Sequence, residues 1–437
     1  MHILFLTTNN LATNPRLYKE LCYALELGHQ CTLLQFKLGN WSDCRSDELL
    51  VKSDELKRVQ VINIDATPTD RIKWLKWGLL EKFAQKLYPI FKRSMKINAL
   101  ATSRRAFQLL HTALKLNEKP NLICAHNLGT LYPAWKCSQK WNIPFVFDVE
   151  DYHPGEFIRF DAKNEKKRRE FLMKKLLPDA HALTLASPLI SEYTLKLIGG
   201  HPNHKVILNS FPSSEFIMPK TYDLVPKTSN ALRLVWFSQK ISFGRGLEQL
   251  LEALTLLIKS SDLLTYQPIN LTLIGDLDPS FKQQIIQPFL SSIASAKEDK
   301  SQIINLHIEN PMSQPDLHAE LANHDISLAL EPGKDLNNNL AISNKIIAYA
   351  QAGLYILATD TPAQKQFMDT DTNRGCISGQ TVVKLKDSLF NLMSKTESIR
   401  RQHQERFKRG KELAWEQERE KLITIWMATP TSIENQN

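Results

Sequence analysis

Short apolar segments alternate with amphipathic ones along the chain, and this alternation occurs twice. In the first half, the pattern predicts strands over 3–6, 31–36, 60–64, 122–124, 145–148, 182–186 and 206–208. It predicts helices over 15–27, 71–116, 131–141, 166–177 and from 187 onward. Strands that alternate with helices are typical of a parallel, doubly wound α/β sheet.

The alternation restarts after 212–230, a polar stretch with several prolines that is typical of a linker. Strands are predicted over 232–237, 271–274, 304–307, 326–330 and 354–358, and helices over 247–260, 279–293, 314–322 and 381–395. One long charged helix is predicted over 396–427. We therefore expect two Rossmann-like domains, 1–215 and 216–409, with a ligand cleft between them at the carboxyl ends of the strands.

The segment 339–360 is the most informative part of the pattern, since it combines a polar loop, a short helix and a buried strand. Ser343 and Asn344 are predicted to cap the helix by accepting hydrogen bonds from its free amides. Gly353 is predicted to end it in a left-handed conformation. The positive end of this helix, together with Lys345, would then face an anion such as a nucleotide diphosphate.

Composition limits the classes of function. A chain of 437 residues is too long for one core, and its net charge of +9 is modest for that length. Aromatic residues do not alternate with arginines, which disfavours a nucleic-acid partner. The six cysteines have no regular spacing and the first apolar run is short, so we expect reduced thiols in a cytoplasmic protein. The basic and aromatic segment from Lys73 to Lys96 extends this expectation to a peripheral location at the inner face of a membrane.

Several short motifs occur in a characteristic order, which covers nearly the whole chain. They are Ile-Leu-Phe-Leu-Thr-Thr-Asn-Asn (3–10), Asn-Pro-Arg (14–16), Glu-Leu-Gly-His (26–29), Ala-His-Asn (125–127), Phe-Asp-Val-Glu-Asp (147–151), Asn-Ser-Phe (209–211), Phe-Gly-Arg-Gly-Leu (243–247), Leu-Ile-Gly-Asp (273–276), Ser-Asn-Lys (343–345), Ala-Gly (352–353) and Ala-Thr-Asp (358–360). Each is short, but together the chain resembles the family 4 retaining glycosyltransferases, which have the GT-B architecture.

The resemblance implies a nucleotide-sugar donor, a UDP- or GDP-sugar, held mostly by the C-terminal half. It implies a polysaccharide or lipid-linked glycan acceptor on the N-terminal half, no further cofactor and no metal. It also implies that the C-terminal helix, 410–430, packs back on the first domain. Without a protein nucleophile, the leaving phosphate would deprotonate the acceptor hydroxyl.

Basic side chains are the candidates for holding the diphosphate. Lys240, Arg245 and Lys345, with Asn344, would neutralise it, and the glycines that flank Arg245 allow a close approach. The alternative is an ordinary solvated basic loop before a helix.

Amides in the first strand-to-helix loop form a second candidate group. Asn10 and Asn14 lie where the resemblance implies contact with the donor diphosphate or the acceptor, and Arg16 completes a polar wall. The alternative is local turn chemistry, for which asparagine is favoured.

Three acids are candidates for contacting the sugar. Glu150 and Asp151 follow the strand 145–148, and Glu331 follows the strand 326–330. The alternative for Glu150 and Asp151 is helix capping. His126, after the strand 122–124, is more typical of a structural histidine.

The acid pair of the family's Glu-x7-Glu motif is missing, because Leu340 and Ala348 occupy the matching positions. Asn338, Asn339 and Asn344 could supply neutral hydrogen bonds instead. A catalytically degenerate GT-B scaffold protein therefore remains an alternative to the transferase, as does a nucleotide-sugar epimerase.

The segment from Lys73 to Lys96 mixes basic and aromatic residues. Ile72, Leu75, Leu79, Phe83 and Ile90 form one helical stripe that the pattern predicts to be core. Trp74, Trp77 and Tyr88 lie roughly opposite and, with the surrounding lysines, would suit an anionic membrane surface. Packing against the neighbouring helix is the equal alternative.

Overall fold

The computed structural model describes residues 1–52, 54–69, 71–218, 231–259, 268–295 and 304–427. The chain divides into two compact units. The N-terminal unit contains Met1–Asn209, Asp335–Asn337 and the chain from Arg419, and the C-terminal unit contains Ser210–Lys334 and Asn338–Glu418.

The N-terminal unit is built on a parallel seven-stranded sheet in the order β3-β2-β1-β4-β5-β6-β7. The strands are β1 His2–Thr7, β2 Gln30–Lys37, β3 Gln60–Asp65, β4 Leu122–His126, β5 Phe145–Val149, β6 Ala182–Leu185 and β7 His204–Val206. The order in which the chain adds strands to the sheet reverses between β1 and β4. These two strands are parallel, and Ile3 pairs with Leu122 and Thr7 with His126. In such sheets ligands bind at the carboxyl ends of the strands near this reversal.

Helices cover both faces of this sheet. They are α1 Pro15–Glu26, α2 Trp41–Lys52, α3 Arg71–Leu87, α4 Met95–Thr102, α5 Arg104–Ala113, α6 Leu128–Trp141, α7 Ala162–Leu176 and α8 Pro188–Ile198. Short 3₁₀ turns occur at Leu11–Thr13, Leu56–Arg58, His153–Gly155 and Leu177–Asp179. The central strands are mostly apolar and are buried along their whole length, because both faces of the sheet are covered, as in other parallel sheets.

The C-terminal unit repeats the design with six parallel strands in the order β10-β9-β8-β11-β12-β13. They are β8 Leu232–Ile241, β9 Ile269–Leu277, β10 Ile304–Glu309, β11 Ile326–Ala329, β12 Tyr355–Thr359 and β13 Gly375–Ser378. The helices are α9 Leu247–Lys259, α10 Pro279–Phe281, α11 Gln287–Ala294, α12 Gln314–Leu321, α14 Asn344–Gln351, α15 Pro362–Asp369, α16 Val382–Met393, α17 Thr396–Arg401 and α18 His403–Gly410. Two further helices, α13 Leu336–Leu340 and α19 Trp415–Trp426, contribute residues to both units. A π-helical stretch, Lys282–Ile286, joins α10 to α11, and 3₁₀ turns occur at Ser213–Glu215 and Lys411–Leu413.

Two predicted helical segments are divided in the structure, the first at the proline expected to interrupt it, whereas the single helix predicted for the tail is wrong. The region 71–116 breaks into α3, α4 and α5, because Pro89 cannot continue a helix and Ser94 caps a new one with its hydroxyl. The tail 396–427 breaks into α17, α18 and α19. Gly410 ends α18 where a side chain would meet the Ala350 carbonyl oxygen at 2.4 Å. The sequence analysis also missed α2, α13, α15 and β13.

The outward face of α3 contradicts a second prediction. The stripe predicted to be core is exposed, with Ile72 81%, Leu79 65% and Phe83 59% accessible. Tyr88, predicted to lie at the surface, is buried instead. The pattern gave the correct helical periodicity but the wrong side of the helix.

The end of α19, from Arg419, belongs to the N-terminal unit. Trp426 packs against Tyr23, with ring centroids 6.1 Å apart, and Arg419 pairs with Glu26 at 2.6 Å. Parts of three predicted segments, 219–230, residue 260 and 428–430, lie outside the described residues. Among those described, no helix combines the length and apolarity that a membrane span requires.

Candidate functional site

Two charged side chains meet in the interior of the N-terminal unit, at the carboxyl ends of its central strands. Asp148 lies near the end of β5, and Arg16 lies in the first turn of α1. The Arg16 guanidinium donates to both Asp148 carboxylate oxygens at 2.7 Å and to the Ile207 carbonyl oxygen at 2.7 Å. Thr184 donates to the same carboxylate at 2.5 Å. This two-pronged pair is the strong form of a buried ion pair, because each charge is met by fixed hydrogen bonds.

His126, the last residue of β4, joins this pair to further acids. Its Nδ1 atom lies 3.3 Å from Asp148 and 3.2 Å from Glu150, and its Nε2 atom lies 3.4 Å from Glu20 of α1. Burial alone would lower the pKa of His126, but the nearby carboxylates of Glu20, Asp148 and Glu150 raise it well above its usual range. Burial likewise opposes ionisation of Asp148, yet Arg16 holds the pKa of that carboxyl well below its usual range. We call Arg16, Glu20, His126 and Asp148 the buried ion network.

The donor atoms of Glu20, His126 and Asp148 lie close enough together to ligate a metal ion. The residues fit a metal poorly, because Arg16 and Thr184 already occupy both oxygens of Asp148. A dication would also have to lie beside the Arg16 guanidinium. Arg16 therefore supplies the positive charge that a metal ion would otherwise supply here. The absence of a metal requirement stays a prediction.

Glu150 and Asp151 follow β5 and differ in their surroundings. Glu150 rests on the buried ion network through His126 and accepts from the Asn127 side chain at 3.1 Å. Asp151 accepts from the Asn337 side chain at 2.7 Å, and burial raises the pKa of its carboxyl. Neither carboxylate caps a helix in this arrangement. Glu150 retains partial exposure and is the more suitable of the two for binding a ligand.

Asn10 and Asn14 are buried and make local hydrogen bonds. Asn10 donates to Ser42 at 2.7 Å and to Asp43 at 3.1 Å. The Asn14 side chain accepts from the backbone amide of Leu17 at 3.0 Å and so caps α1. Asn14 is thus a helix cap, as in the local alternative, whereas Asn10 ties the first strand-to-helix loop to the start of α2. Their contact with a ligand stays a prediction.

In the C-terminal unit, a glycine-containing loop connects β8 to α9. Gly244 and Gly246 have φ angles of +71° and +79°, in the left-handed region that favours glycine. A Cβ at Gly246 would lie 2.7 Å from the Leu330 side chain, and one at Gly244 would lie 2.4 Å from Lys334 Nζ. The loop that carries Arg245 is therefore pressed against the segment that follows β11.

That same segment carries Glu331, which the structure places beside Lys345. The Lys345 ammonium lies 3.1 Å from the Glu331 carboxylate and 5.2 Å from the centroid of the Trp236 ring. Thr359, at the end of β12, fixes the Glu331 backbone by accepting from its amide at 2.8 Å. The structure thus brings Glu331 and Lys345 into contact, and it places the backbone of the Arg245 loop in the same neighbourhood, beside Leu330.

The predicted cap of α14 is correct in position and wrong in chemistry. Ser343 is the N-cap residue, but its hydroxyl accepts no hydrogen bond from the helix amides, and Asn344 is the first helical residue. Gly353 has the predicted left-handed conformation, with φ +73°. The Ser343 hydroxyl is buried without a hydrogen-bond partner among the described residues.

Lys240 lies apart from this neighbourhood. Its ammonium is 4.0 Å from Asp276 of β9, and both side chains are more than 60% exposed. In the part of the chain that the structure describes, no contact joins Lys240 to the Glu331–Lys345 pair. Leu340 and Ala348, which replace the acids implied by the resemblance, are both buried.

Sequence analysis missed three residues that matter here: Glu20, Asp148 and Lys334. Glu20 is four residues from Arg16 on α1, so both lie on one face of the helix, and Asp148 is a charge in an apolar strand. A charge in such a strand is costly unless paired, and that was the available signal. For Lys334 no signal existed, since its proximity to Gly244 depends on how two loops fold.

Several solved structures share this fold over nearly their whole length. HepE from Anabaena in complex with UDP superposes with a TM-score of 0.64 at 14% identity, covering 98% of this chain and 100% of that one. A sucrose-phosphate synthase from Thermosynechococcus elongatus has a TM-score of 0.64 at 12% identity, over 98% of each chain. A glycosyltransferase from Rickettsia africae has a TM-score of 0.61 at 12% identity, over 98% and 99% of the two chains. No protein-family model and no curated protein matches the chain.

At these identities the likeness shows the fold. The predicted fold class, two Rossmann-like α/β domains of the GT-B type, is confirmed over 98% of the chain. The assignment to family 4 and the site residues stay predictions.

Proposed function

We propose that this protein is a retaining glycosyltransferase of the family 4 type. It would transfer a sugar from a UDP- or GDP-sugar to a polysaccharide or lipid-linked acceptor. The observation that carries the proposal is the Glu331–Lys345 pair beside the loop that carries Arg245, two cations and one acid at the carboxyl ends of the central strands. The fold adds support, because HepE with the same architecture has been solved with UDP-glucose.

The donor diphosphate would be bound by the loop around Arg245 and by Lys345 at the start of α14. The Lys345 ammonium contacts the Glu331 carboxylate on one side and the Trp236 ring on another, so it is oriented before a ligand arrives. An oriented charge stabilises developing negative charge without reorganisation. Lys334, next to Gly244, would add a third cation at the same loop.

In the reaction, the acceptor hydroxyl oxygen would bond to the anomeric carbon as the bond from that carbon to the diphosphate breaks. The hydroxyl proton would pass to the leaving phosphate oxygen. Arg245 and Lys345 would stabilise the negative charge on the leaving group. Glu331 is suited to orient the sugar, and Glu150 to contact a sugar or acceptor hydroxyl.

Thermal shift and donor hydrolysis with a panel of UDP-, GDP- and ADP-sugars test the proposal. We expect one nucleotide to stabilise the protein, and Arg245→Ala to weaken that nucleotide about 10- to 100-fold, since a hydrogen bond to a charged group contributes about 1.5–3 kcal/mol. Arg401→Ala, an exposed arginine of the same unit, is the matched control and should leave binding unchanged. No response to any nucleotide-sugar would contradict the proposal, and inversion at the anomeric carbon would contradict retention.

A scaffold protein without turnover is the second candidate, and the loss of both acids at Leu340 and Ala348 favours it. It would bind UDP or GDP, but it would neither hydrolyse a nucleotide-sugar nor transfer the sugar to an acceptor. Measuring affinity and turnover on one preparation separates the two candidates. Turnover that Arg245→Ala abolishes would exclude the scaffold.

A further inference from the structure

The helix α3 carries its apolar stripe on the side that faces away from the protein. Ile72, Leu75, Leu79 and Phe83 recur at helical spacing and are each more than half exposed. At 3.6 residues per turn they fall within about 80° of arc. An amphipathic helix of a globular domain normally directs such a stripe to the core.

The opposite face of α3 is the one that holds it to the unit. The Arg104 guanidinium stacks on Trp74 at 5.2 Å, the Arg104 amide donates to Glu81 at 3.3 Å, and Gln85 donates to the Ala101 carbonyl at 3.1 Å. These contacts fix the rotation of the helix about its axis. The outward direction of the stripe therefore follows from specific polar contacts to α4 and α5.

A second group of exposed apolar side chains lies beside the end of α3. The Arg168 guanidinium stacks on Tyr88 at 5.1 Å and pairs with Asp161 at 3.0 Å. This bridge joins Asp161, at the end of the loop in which Phe157 and Phe160 are exposed, to Tyr88 in the turn after α3. That turn exposes Ile90 and Phe91. We call the four residues of the stripe, together with Ile90 and Phe91 of the turn that directly follows α3, the α3 patch.

Positive charge surrounds the α3 patch. Residues 71–96 contain eight lysines and arginines and a single acid, Glu81, so this short segment accounts for most of the net charge of +9. Glu81 is on the inward face, where it accepts from Arg104. Lys76 and Lys82 are exposed and flank the stripe on either side. Lysines at the edge of an apolar stripe can bury their stems and present their ammonium groups to anions.

We propose that the α3 patch docks the protein on an anionic phospholipid bilayer, with the stripe, Ile90 and Phe91 in the headgroup layer and the lysines on lipid phosphates. A two-fold dimer through the same patch is disfavoured, because an isologous interface would place one lysine fringe against the other. A neutral protein partner would leave the lysines unmatched. The inference does not rest on the proposed function, since it needs neither donor nor acceptor.

Flotation of the full chain with vesicles tests this inference. We expect binding to vesicles of 70% phosphatidylcholine and 30% phosphatidylglycerol, and little binding to pure phosphatidylcholine. Each lysine near an anionic surface contributes about fivefold in affinity, so Lys76→Gln with Lys82→Gln should weaken binding about 25-fold. Leu79→Ser with Phe83→Ser should also release the protein, and raised salt should weaken the binding of the parent chain.

Matched changes on the C-terminal unit control for general effects. Lys365→Gln with Lys408→Gln alters two exposed lysines, and Val383→Ser alters an exposed apolar residue. These variants should float like the parent chain. Absence of flotation by the parent, equal binding to neutral vesicles, or a concentration-dependent dimer that Leu79→Ser with Phe83→Ser abolishes would each overturn the inference. Retained nucleotide binding in the α3 variants would show that such a failure leaves the proposed function intact.

Discussion

The two units place different chemistry at equivalent points of one fold. In the N-terminal unit, the ends of β4 and β5 meet α1 in the buried ion network, in which His126 and Asp148 are almost fully buried. In the C-terminal unit, the ends of β11 and β12 meet the loop before α9, and the Lys345–Glu331 pair there is partly exposed. Each location is the reversal point of a doubly wound sheet.

This contrast separates the charges that stabilise the fold from those that are available to a ligand. Arg16 and Asp148 form an ion pair with each other, so their charges stabilise the interior of the unit. Around Gly244 and Gly246, by contrast, the backbone makes room for Arg245 and Lys334, and Lys345 is oriented by only one acid. We therefore expect substitutions in the first group to change stability and those in the second to change ligand binding.

The largest expected effect comes from Asp148→Ala. Removing the acid leaves Arg16 buried without its partner, which typically costs about 3–5 kcal/mol. Denaturant unfolding gives the loss, and hydrogen exchange of β4 and β5 assigns it to the N-terminal unit. Glu48→Ala, which breaks the exposed Arg45–Glu48 pair, should change stability by less than about 1 kcal/mol. Equal effects of the two substitutions would show that the network is not a special feature of this unit.

Next come two glycines with the same backbone and different surroundings. Gly28 and Gly246 have φ angles of +77° and +79°, so alanine costs each about 1 kcal/mol in backbone strain. A Cβ at Gly28 meets nothing within 4 Å, whereas one at Gly246 lies 2.7 Å from Leu330. Gly246→Ala should therefore destabilise more than Gly28→Ala, and it alone should weaken nucleotide binding in thermal-shift titrations. The same loss of binding in both variants would contradict a local role of the loop.

Two lysines of the C-terminal unit test which basic side chains bind the nucleotide. Lys345→Met should weaken nucleotide binding about tenfold, because a partly buried, oriented ammonium is lost. Lys240→Met should have a smaller effect, since Lys240 is exposed and lies beside Asp276. Isothermal titration with the nucleotide that stabilises the parent chain measures both. The reverse order would return Lys240 to the centre of the diphosphate site.

The smallest expected effect is a pH dependence that belongs to His126. Burial lowers the pKa of His126, but the surrounding acids Glu20, Asp148 and Glu150 raise it well above its usual range in the folded state, and Arg16 is the cation of the same network. The stabilising contribution of His126 is therefore fully present below the unfolded pKa of about 6.5 and is lost as pH rises through the raised folded pKa. The free energy of unfolding should fall with rising pH in the parent chain and change less in His126→Gln. Parallel pH profiles of the two proteins would show that folding does not shift the pKa of His126.

Local sequence features fixed the two Rossmann-like units. Apolar runs such as 3–6 and 145–148 gave the strands, and Gly28 and Gly353 gave helix ends, because glycine alone adopts a left-handed backbone without strain. Lys345 and Glu331 were identified from their places after predicted elements. Interruptions such as the one at Gly410 were missed, because they arise from a close approach to residues far along the chain.

By itself, the sequence determined the alternation of strands and helices, the repeat of the fold and the basic character of residues 71–96, since each depends on neighbours along the chain. Only the tertiary structure decided that α3 turns its apolar stripe outward, because Arg104 and Ala101 hold the other face. It also decided that Arg16 is neutralised by Asp148, 132 residues away, while Lys345 lies beside Glu331 at the start of a helix. The physical reason is that a charge pattern along the chain does not specify which charges meet, whereas packing does.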